Sequence, residues 1–223
     1  MKEYSWNSVE ELFGALNQKC NYLILRNYEE MHDDNALCVN HEDIDILCDD
    51  RRLLIDVMHA YPRGKKTYGV RYYILLKNVK VPVDIRQVGD CYYDTNWEKN
   101  MLAHKKMSEL GMYVMNDEDY YYSLAYHGIL QKKSFAEEYM ERLYLIGKKI
   151  GMIPQSRDNL LHQIETYMSE KDYYYMVPKL FDQTIYVNYD AVSENRIKGK
   201  WRMWIKRNAH NVKMALLGKE GRK

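Results

Sequence analysis

Acidic and apolar residues alternate along the segment DIDILC, residues 43–48. Side chains two positions apart on a β-strand share a face, so Asp43 and Asp45 would project together, opposite Ile44, Ile46 and Cys48. Two adjacent carboxylates repel each other and destabilise a fold unless a cation lies between them. The segment therefore predicts a strand with one buried apolar face and one acidic face.

A third acid lies in the segment VKVPVDIRQV, residues 79–88, in which positions 81, 83 and 85 are apolar and Asp84 and Arg86 lie on the opposite face. If this strand pairs beside residues 43–48, three carboxylates share one surface. Such oxygen ligands suit Mg²⁺ or Mn²⁺. Three acids on adjacent strands can hold two ions about 3.5–4 Å apart for in-line phosphoryl or nucleotidyl transfer. The alternative is that D-I-D forms the solvated face of an edge strand, because that pair alone is common.

The rest of the chain predicts strands and helices in a mixed order. Ser8 and Glu11 have the spacing of a capping box, and Lys77-Asn78 separates two β-rich runs as a hairpin turn does. The predicted strands are 22–26, 43–48, 69–76, 79–88 and 112–115, and the predicted helices are 8–18, 49–62, 94–110, 117–132, 135–149 (capped by Ser134), 157–170 (capped by Ser156) and about 198–217. This order indicates an α+β domain followed by a helical one.

The charge distribution separates a C-terminal tail from the rest. Residues 196–223 hold ten Lys or Arg and one acid, whereas residues 1–195 hold 23 basic and 31 acidic residues. We therefore predict an α+β domain at 1–115, a helical domain at 116–195 and a basic tail at 196–223. An acidic body argues against a nucleic-acid binder.

The basic tail interleaves its cations with Trp201 and Trp204. This pattern suits peripheral contact with an anionic membrane surface, a nucleic acid or a lipid-linked glycan phosphate. If the tail is helical, its apolar residues align at spacings of three and four, which equally describes a helix docked on the protein's own acidic body.

Composition excludes several classes of protein. Among the 223 residues, no apolar run approaches the roughly 18 that a membrane span needs. Acids stand where a signal peptide would carry its apolar stretch, and the four cysteines form no CxxC pair, so we expect a soluble, cytoplasmic protein. No P-loop, GxGxxG or GxSxG motif occurs. The 22 tyrosines against 3 phenylalanines require many buried rings to find a partner for their hydroxyl groups.

Four segments together carry a family resemblance: YLILRNYEEM, HEDIDILCDD, VPVDIRQVGDCYYD and DEDYYYSLAYHGILQKKSF. Over about residues 8–135 the chain resembles the nucleotidyltransferase superfamily that includes DNA polymerase β. More narrowly, it is similar to the nucleotidyltransferase-like proteins of bacterial and viral surface-polysaccharide gene clusters. The resemblance implies a nucleotidyltransferase-like mixed sheet with flanking helices.

The resemblance also assigns roles to residues. Asp43 and Asp45 match the metal-binding pair, and Asp84 matches the third carboxylate, which would also serve as general base. Arg26 and Asn27 stand where the superfamily has a Gly-Ser turn. Asn27 allows only part of the close phosphate approach that glycine allows, and Arg26 can replace it by pairing directly with phosphate.

Further nucleotide contacts follow from the segment after the sheet domain. We predict that Tyr122 or Tyr126 stacks on the base and that Lys132 or Lys133 meets phosphate, together with Arg86. The alternative for the rings is that they pack the helix on the sheet. His41 precedes the acidic pair and either contacts substrate or is an ordinary loop residue.

These features combine into one expected activity. The chain would use Mg²⁺ or Mn²⁺ to move a nucleotidyl or related phosphate-bearing group from a nucleoside triphosphate or nucleotide-linked donor. The acceptor would be a sugar, polyol or glycan precursor. The alternative is a catalytically inactive nucleotidyltransferase-like module that binds a nucleotide or a partner, which the missing Gly-Ser turn favours.

Overall fold

The computed structural model describes residues 3–31, 43–64, 70–132, 134–177, 179, 188, 192–205 and 208. The strands are β1 (Ser5–Trp6), β2 (Tyr22–Ile24), β3 (Ile44–Cys48), β4 (Tyr61–Pro62), β5 (Arg71–Leu76), β6 (Val79–Gln87), β7 (Lys106–Met107), β8 (Tyr113–Val114), β9 (Tyr175–Met176) and β10 (Ile197–Lys198). The α-helices are α1 (Val9–Lys19), α2 (Arg51–Met58), α3 (Thr95–Ala103), α4 (Asp117–Tyr126), α5 (Glu137–Ile150) and α6 (Arg157–Glu170). A π-helical turn, His127–Gln131, follows α4 directly.

The main sheet is mixed and has the strand order β1-β5-β6-β3-β2-β8-β7, with β4 paired to β5. Strand β3 lies parallel to β6 and antiparallel to β2, so it is a central strand with neighbours on both sides. The predicted α+β class is therefore confirmed. The pairing of β3 with β6 is also the one that the sequence analysis required.

Local sequence explains where several elements begin and turn. Ser8 Oγ accepts a hydrogen bond from the backbone N–H of Glu11 at 3.2 Å and so caps α1. The hairpin of β5 and β6 turns through Lys77 (φ 51°) and Asn78 (φ 65°), both left-handed, as a two-residue type I′ turn requires. The predicted hairpin is thus present without a glycine.

Three predicted helices differ from those observed. The helix expected over 49–62 ends at Met58, because His59 adopts a left-handed conformation (φ 51°) and the chain then forms β4. The helix expected over 94–110 ends at Ala103, because the chain then forms β7, which pairs antiparallel with β8. The helix expected from Ser134 begins instead at Glu137 after Ala136, whose side chain provides no cap. Its C-terminus matches the prediction, since Gly151 adopts the left-handed conformation (φ 72°) that glycine tolerates.

Buried side chains form two clusters, one on each face of the sheet. The first joins α1 and α2 to the apolar face of β3 and β6, including Ile44, Ile46 and Val83. The second joins the other face, at Leu23 and Leu47, to the helices from α3 onward. This second cluster includes buried residues on both sides of position 116, and the division of the chain at that position stays a prediction.

Little of the predicted basic tail falls within the described residues. Residues 200–205 and 208 are helical, and the side chains of Trp201 and Trp204 are exposed there. His41 and Lys133 lie outside the described residues. No helix within the described ranges is long and apolar enough to cross a bilayer.

Candidate functional site

Three carboxylates meet where β3 and β6 run side by side. The parallel register places Asp45 directly beside Asp84. Asp43 precedes β3, and one oxygen atom from each of the three acids lies within 4.8 Å of the others. The residues at 44, 46 and 85 point away into the apolar core. The sequence prediction that these acids share one surface is confirmed.

Electrostatics at the cluster act most clearly on Asp84. Burial and the neighbouring Asp45 carboxylate raise the pKa of Asp84, whereas Arg86, Arg71 and Arg26 act in the opposite direction. Carboxylates packed this closely favour a cation among them. A raised pKa also makes the Asp84 carboxylate a stronger base than a solvated aspartate.

The Arg26 side chain donates a hydrogen bond to one carboxylate oxygen of Asp45. Arg26 Nε lies 2.7 Å from Asp45 Oδ2, and each side chain is about 10% exposed. Arg26 Nη2 donates a second hydrogen bond, at 2.8 Å, to the hydroxyl of Tyr92. Arg26 therefore lies against the acidic cluster itself, in contact with Asp45, and its pairing with phosphate stays a prediction.

Asn27 forms the turn at the end of β2 in a left-handed conformation (φ 61°, ψ 17°). Asparagine is among the few non-glycine residues that adopt this conformation readily. Its Oδ1 accepts a hydrogen bond from Arg142 Nη1 of α5 at 2.9 Å. Arg142 Nη2 also donates to the Tyr120 hydroxyl at 2.8 Å. The turn at Asn27 is therefore held by a guanidinium group from α5.

A buried polar chain extends from Arg26 to the π-helical turn. The Tyr92 hydroxyl lies 3.4 Å from His127 Nδ1, which lies 2.9 Å from Gln131 Oε1. Gln131 Nε2 donates in turn to the backbone carbonyl of Tyr92 at 3.3 Å. π-Helical turns occur often at functional sites. Here the turn brings His127 and Gln131 within hydrogen-bond distance of Tyr92.

The structure corrects the role predicted for Arg86. Its side chain is 4% exposed, its Nη1 lies 3.8 Å from Asp90 Oδ2, and its guanidinium carbon lies 4.3 Å from the centroid of the Tyr92 ring. Arg86 therefore supplies positive charge beside Asp84 from a buried position and is not exposed for the phosphate contact that the sequence predicts. Lys132 is exposed directly after the π-helical turn, and its contact with phosphate stays a prediction.

The two tyrosines predicted to stack on a base lie in the core instead. Tyr126 is 0% exposed and stacks on Tyr175, with ring centroids 5.9 Å apart. Tyr122 stacks on Tyr167 with centroids 3.8 Å apart and planes inclined by 13°. Neither ring presents a face to a ligand, so the packing alternative describes both residues.

Sequence reasoning missed three residues that border the site: Tyr92, Tyr139 and Arg142. Tyr139 lies on α5, close enough to Arg26 and Asp45 for their charges to act on its hydroxyl. Its ring centroid is 6.0 Å from that of His127. No local motif marks these residues, since they approach the acids only through packing of the helices against the sheet.

The donor set fits a hard divalent cation. All three candidate ligands are carboxylates, and oxygen donors are those that Mg²⁺ and Mn²⁺ prefer. The Arg26 hydrogen bond uses Asp45 Oδ2, so the other carboxylate oxygen of Asp45 is the one offered to an ion while that contact persists.

Comparisons with known proteins found no relative of this chain. No protein-family profile, curated protein or solved structure matches the chain. The resemblance to nucleotidyltransferases therefore stays a prediction from the sequence motifs, and the functional argument depends on the geometry of the acids.

Burial of His127 is expected to make folding stability depend on pH. Burial, and then the charge of Arg26, lower the pKa of His127 well below 6.5, with Lys132 and Arg142 acting in the same direction and Gln131 opposing them. The unfolded chain therefore binds more protons than the folded chain below pH 6.5, and stability falls as the pH falls. Between pH 7.5 and 5, wild type should lose up to about 2 kcal/mol more than His127→Gln.

Urea denaturation at both pH values measures this difference. His162→Gln, at an exposed position on α6, is the matched control and should keep the wild-type pH dependence. Parallel stability profiles for wild type and His127→Gln would show that His127 is not held neutral by the fold.

Proposed function

We propose that this chain is a divalent-metal-dependent nucleotidyltransferase with a nucleotidyltransferase-like fold. The observation that carries the proposal is the convergence of Asp43, Asp45 and Asp84 within 4.8 Å on two paired strands. In the proposed reaction, a nucleotidyl or related phosphate-bearing group moves from a nucleoside triphosphate or nucleotide-linked donor to a sugar, polyol or glycan precursor. The donor and acceptor classes follow from the resemblance to proteins of surface-polysaccharide gene clusters.

The three acids would have different roles in the proposed reaction. Asp43 and Asp45 would hold the cation, with Asp84 as the third ligand. When bound, Mg²⁺ or Mn²⁺ would orient the donor phosphates and offset the negative charge that develops during transfer. Asp84 accepts the proton of the acceptor hydroxyl, and its raised pKa favours this role.

Two guanidinium groups lie where an anionic donor would need them. Arg26 contacts Asp45, and Arg142 contacts Asn27 at the adjacent turn. Guanidinium groups pair with two phosphate oxygens at once, which positions a phosphate as well as binding it. In this proposal these arginines replace the close backbone approach that a Gly-Ser turn provides in the superfamily.

One observation favours a second candidate function, a nucleotide- or partner-binding module without turnover. Arg26 already neutralises Asp45 at 2.7 Å, and the turn after β2 carries Asn27 rather than glycine. If the ion pair is permanent, nucleotide binding would not depend on a divalent cation. Calorimetry of nucleoside triphosphate binding with and without Mg²⁺ separates the two functions.

The metal site itself is tested by Mn²⁺ binding to the full chain. Asp43→Asn removes one carboxylate ligand and is expected to weaken Mn²⁺ binding by at least about a hundredfold. Electron paramagnetic resonance of free Mn²⁺ measures the affinity. The matched control is Asp56→Asn, which removes an exposed carboxylate from α2 and should bind as wild type does.

Equal Mn²⁺ affinity in wild type and Asp43→Asn would contradict the metal site. Cation-independent nucleotide binding together with absent turnover would favour the binding module. Metal-dependent release of pyrophosphate from a triphosphate donor would favour the transferase.

A further inference from the structure

Arg26 stands in an unusual position for a residue expected to bind phosphate. It lies between the acid cluster and the buried chain formed by Tyr92, His127 and Gln131. Its two neighbours, Asp45 and Tyr92, hold the guanidinium group in place by hydrogen bonds of 2.7 and 2.8 Å. Arg26 is thus a fixed positive charge at the edge of the cluster.

A divalent cation and this guanidinium group would compete for the same carboxylate. Both interact favourably with Asp45, and they repel each other, most strongly where burial lowers the effective dielectric constant. The Arg26 and Asp45 side chains are both about 10% exposed, so water screens that repulsion poorly. Full ligation by Asp45 therefore requires Arg26 to give up its hydrogen bond to Oδ2.

We infer that Arg26 is a resident counter-cation that competes with the divalent metal for Asp45 and thereby sets the metal affinity of the site. This inference rests on the proposed function, because it concerns the same three acids. It also gives Arg26 a second position: once released from Asp45, the guanidinium group can pair with an anion brought in with the metal. Arg26 is then a positioning residue that links metal entry to the arrival of an anionic donor.

Competition between Arg26 and the metal explains the Arg26–Asp45 ion pair, which the binding module without turnover would also explain. The Arg26–Asp45 ion pair does not block the site in this view. Instead it keeps a buried acid partnered while no metal is bound, since an unpaired buried charge is costly. Tyr92 remains as a hydrogen-bond partner for the guanidinium group during the exchange.

The test compares Mn²⁺ affinities at pH 8, where carboxylates that have lost a cationic partner remain ionised. Arg26→Gln removes the competing charge and is expected to tighten Mn²⁺ binding by about tenfold or more. Arg26→Lys keeps a cation at the same place and should stay within about threefold of wild type. Arg71→Gln is the matched control, because it removes an exposed cation near Asp84 without releasing Asp45, and should also stay within about threefold.

A second measurement follows the Arg26 side chain of wild type directly and does not require Arg26→Gln to fold. The Nε–H resonance of Arg26, assigned by its loss in Arg26→Lys, should shift when Mg²⁺ is added to wild type. The same addition should leave it unchanged in Asp43→Asn.

The outcomes separate this inference from the proposed function. If wild type and Arg26→Gln bind Mn²⁺ equally, or if Mg²⁺ binds without moving the Arg26 resonance, the competition is overturned and the metal site stands. If neither protein binds Mn²⁺, both the competition and the proposed function are overturned. Tighter binding by Arg26→Gln alone supports the competition.

Discussion

Replacing Asp84 with asparagine is expected to reduce the proposed metal-dependent nucleotidyl transfer by at least about a thousandfold. Two contributions of Asp84 to the rate of transfer are lost together. The amide cannot accept a proton from the acceptor hydroxyl, and removal of a general base typically costs about a hundredfold to ten-thousandfold. Asparagine also provides a weaker, uncharged ligand to the cation, beside an Asp45 that already shares its charge with Arg26.

Release of pyrophosphate from labelled triphosphates, with a panel of sugar and polyol acceptors, measures this loss. Asp56→Asn, the exposed carboxylate on α2, is again the control and should retain wild-type turnover. The thermal melt of Asp84→Asn should stay near that of wild type, because the substitution relieves repulsion from Asp45. Undiminished turnover in Asp84→Asn would remove the proposed mechanism.

Asp119→Asn is expected to destabilise the fold by about 2–4 kcal/mol. Asp119 is 4% exposed and lies in the first turn of α4. Its Oδ1 accepts hydrogen bonds from Trp97 Nε1 and the Tyr167 hydroxyl, both at 2.9 Å, and its Oδ2 accepts one from Asn116 Nδ2 at 2.7 Å. An asparagine would place an amide N–H group against at least one of these donors.

Chemical denaturation of Asp119→Asn and of its neighbour Glu118→Gln tests this expectation. Glu118 is exposed and its ion pair with Lys171 is 3.6 Å long, so its substitution should change stability by less than about 0.5 kcal/mol. Equal stabilities for the two variants would mean that the buried hydrogen bonds of Asp119 contribute no more than a surface ion pair.

The sequence predicted the acid cluster because its signal is local. A period of two fixes which face Asp43, Asp45 and Asp84 occupy, and buried apolar residues on the other face leave no freedom to slip the register. The hairpin was predictable for the same reason, since Lys77-Asn78 has the length that a tight turn requires. Such arguments need only the residues within one or two strands.

The contacts of Arg26 could not be predicted in the same way. Arg26 meets Asp45 because β2 runs antiparallel to β3, and Arg142 meets Asn27 because α5 packs near the end of β2. Both contacts depend on tertiary packing between distant segments. No periodicity in the sequence encodes them.

The burial of helix α4 explains why Tyr122 and Tyr126 do not form the base-stacking face that the sequence predicts. Every residue from Asp119 to Gln131 is buried, so the helix and the turn after it have no polar stripe that distinguishes a cleft face from a core face. Tyrosine adds to the ambiguity, because its hydroxyl lets it serve either as a ligand contact or as a core residue. Here polar neighbours inside the protein satisfy several of these hydroxyls, as Gln163 does for Tyr121.

The shared interior behind the acids has a consequence for how this chain can be divided. Leu23, Leu25 and Leu47 are at most 1% exposed and belong to the same buried cluster as side chains from residues 92–102 and from residues beyond 115. Loss of the residues beyond the main sheet would bring part of this shared cluster toward water, at roughly 1.5–3 kcal/mol for each apolar side chain fully uncovered. We therefore expect a fragment that ends at β8 to be less stable than the full chain, because the helical segment shares an interior with the strands that carry the carboxylates.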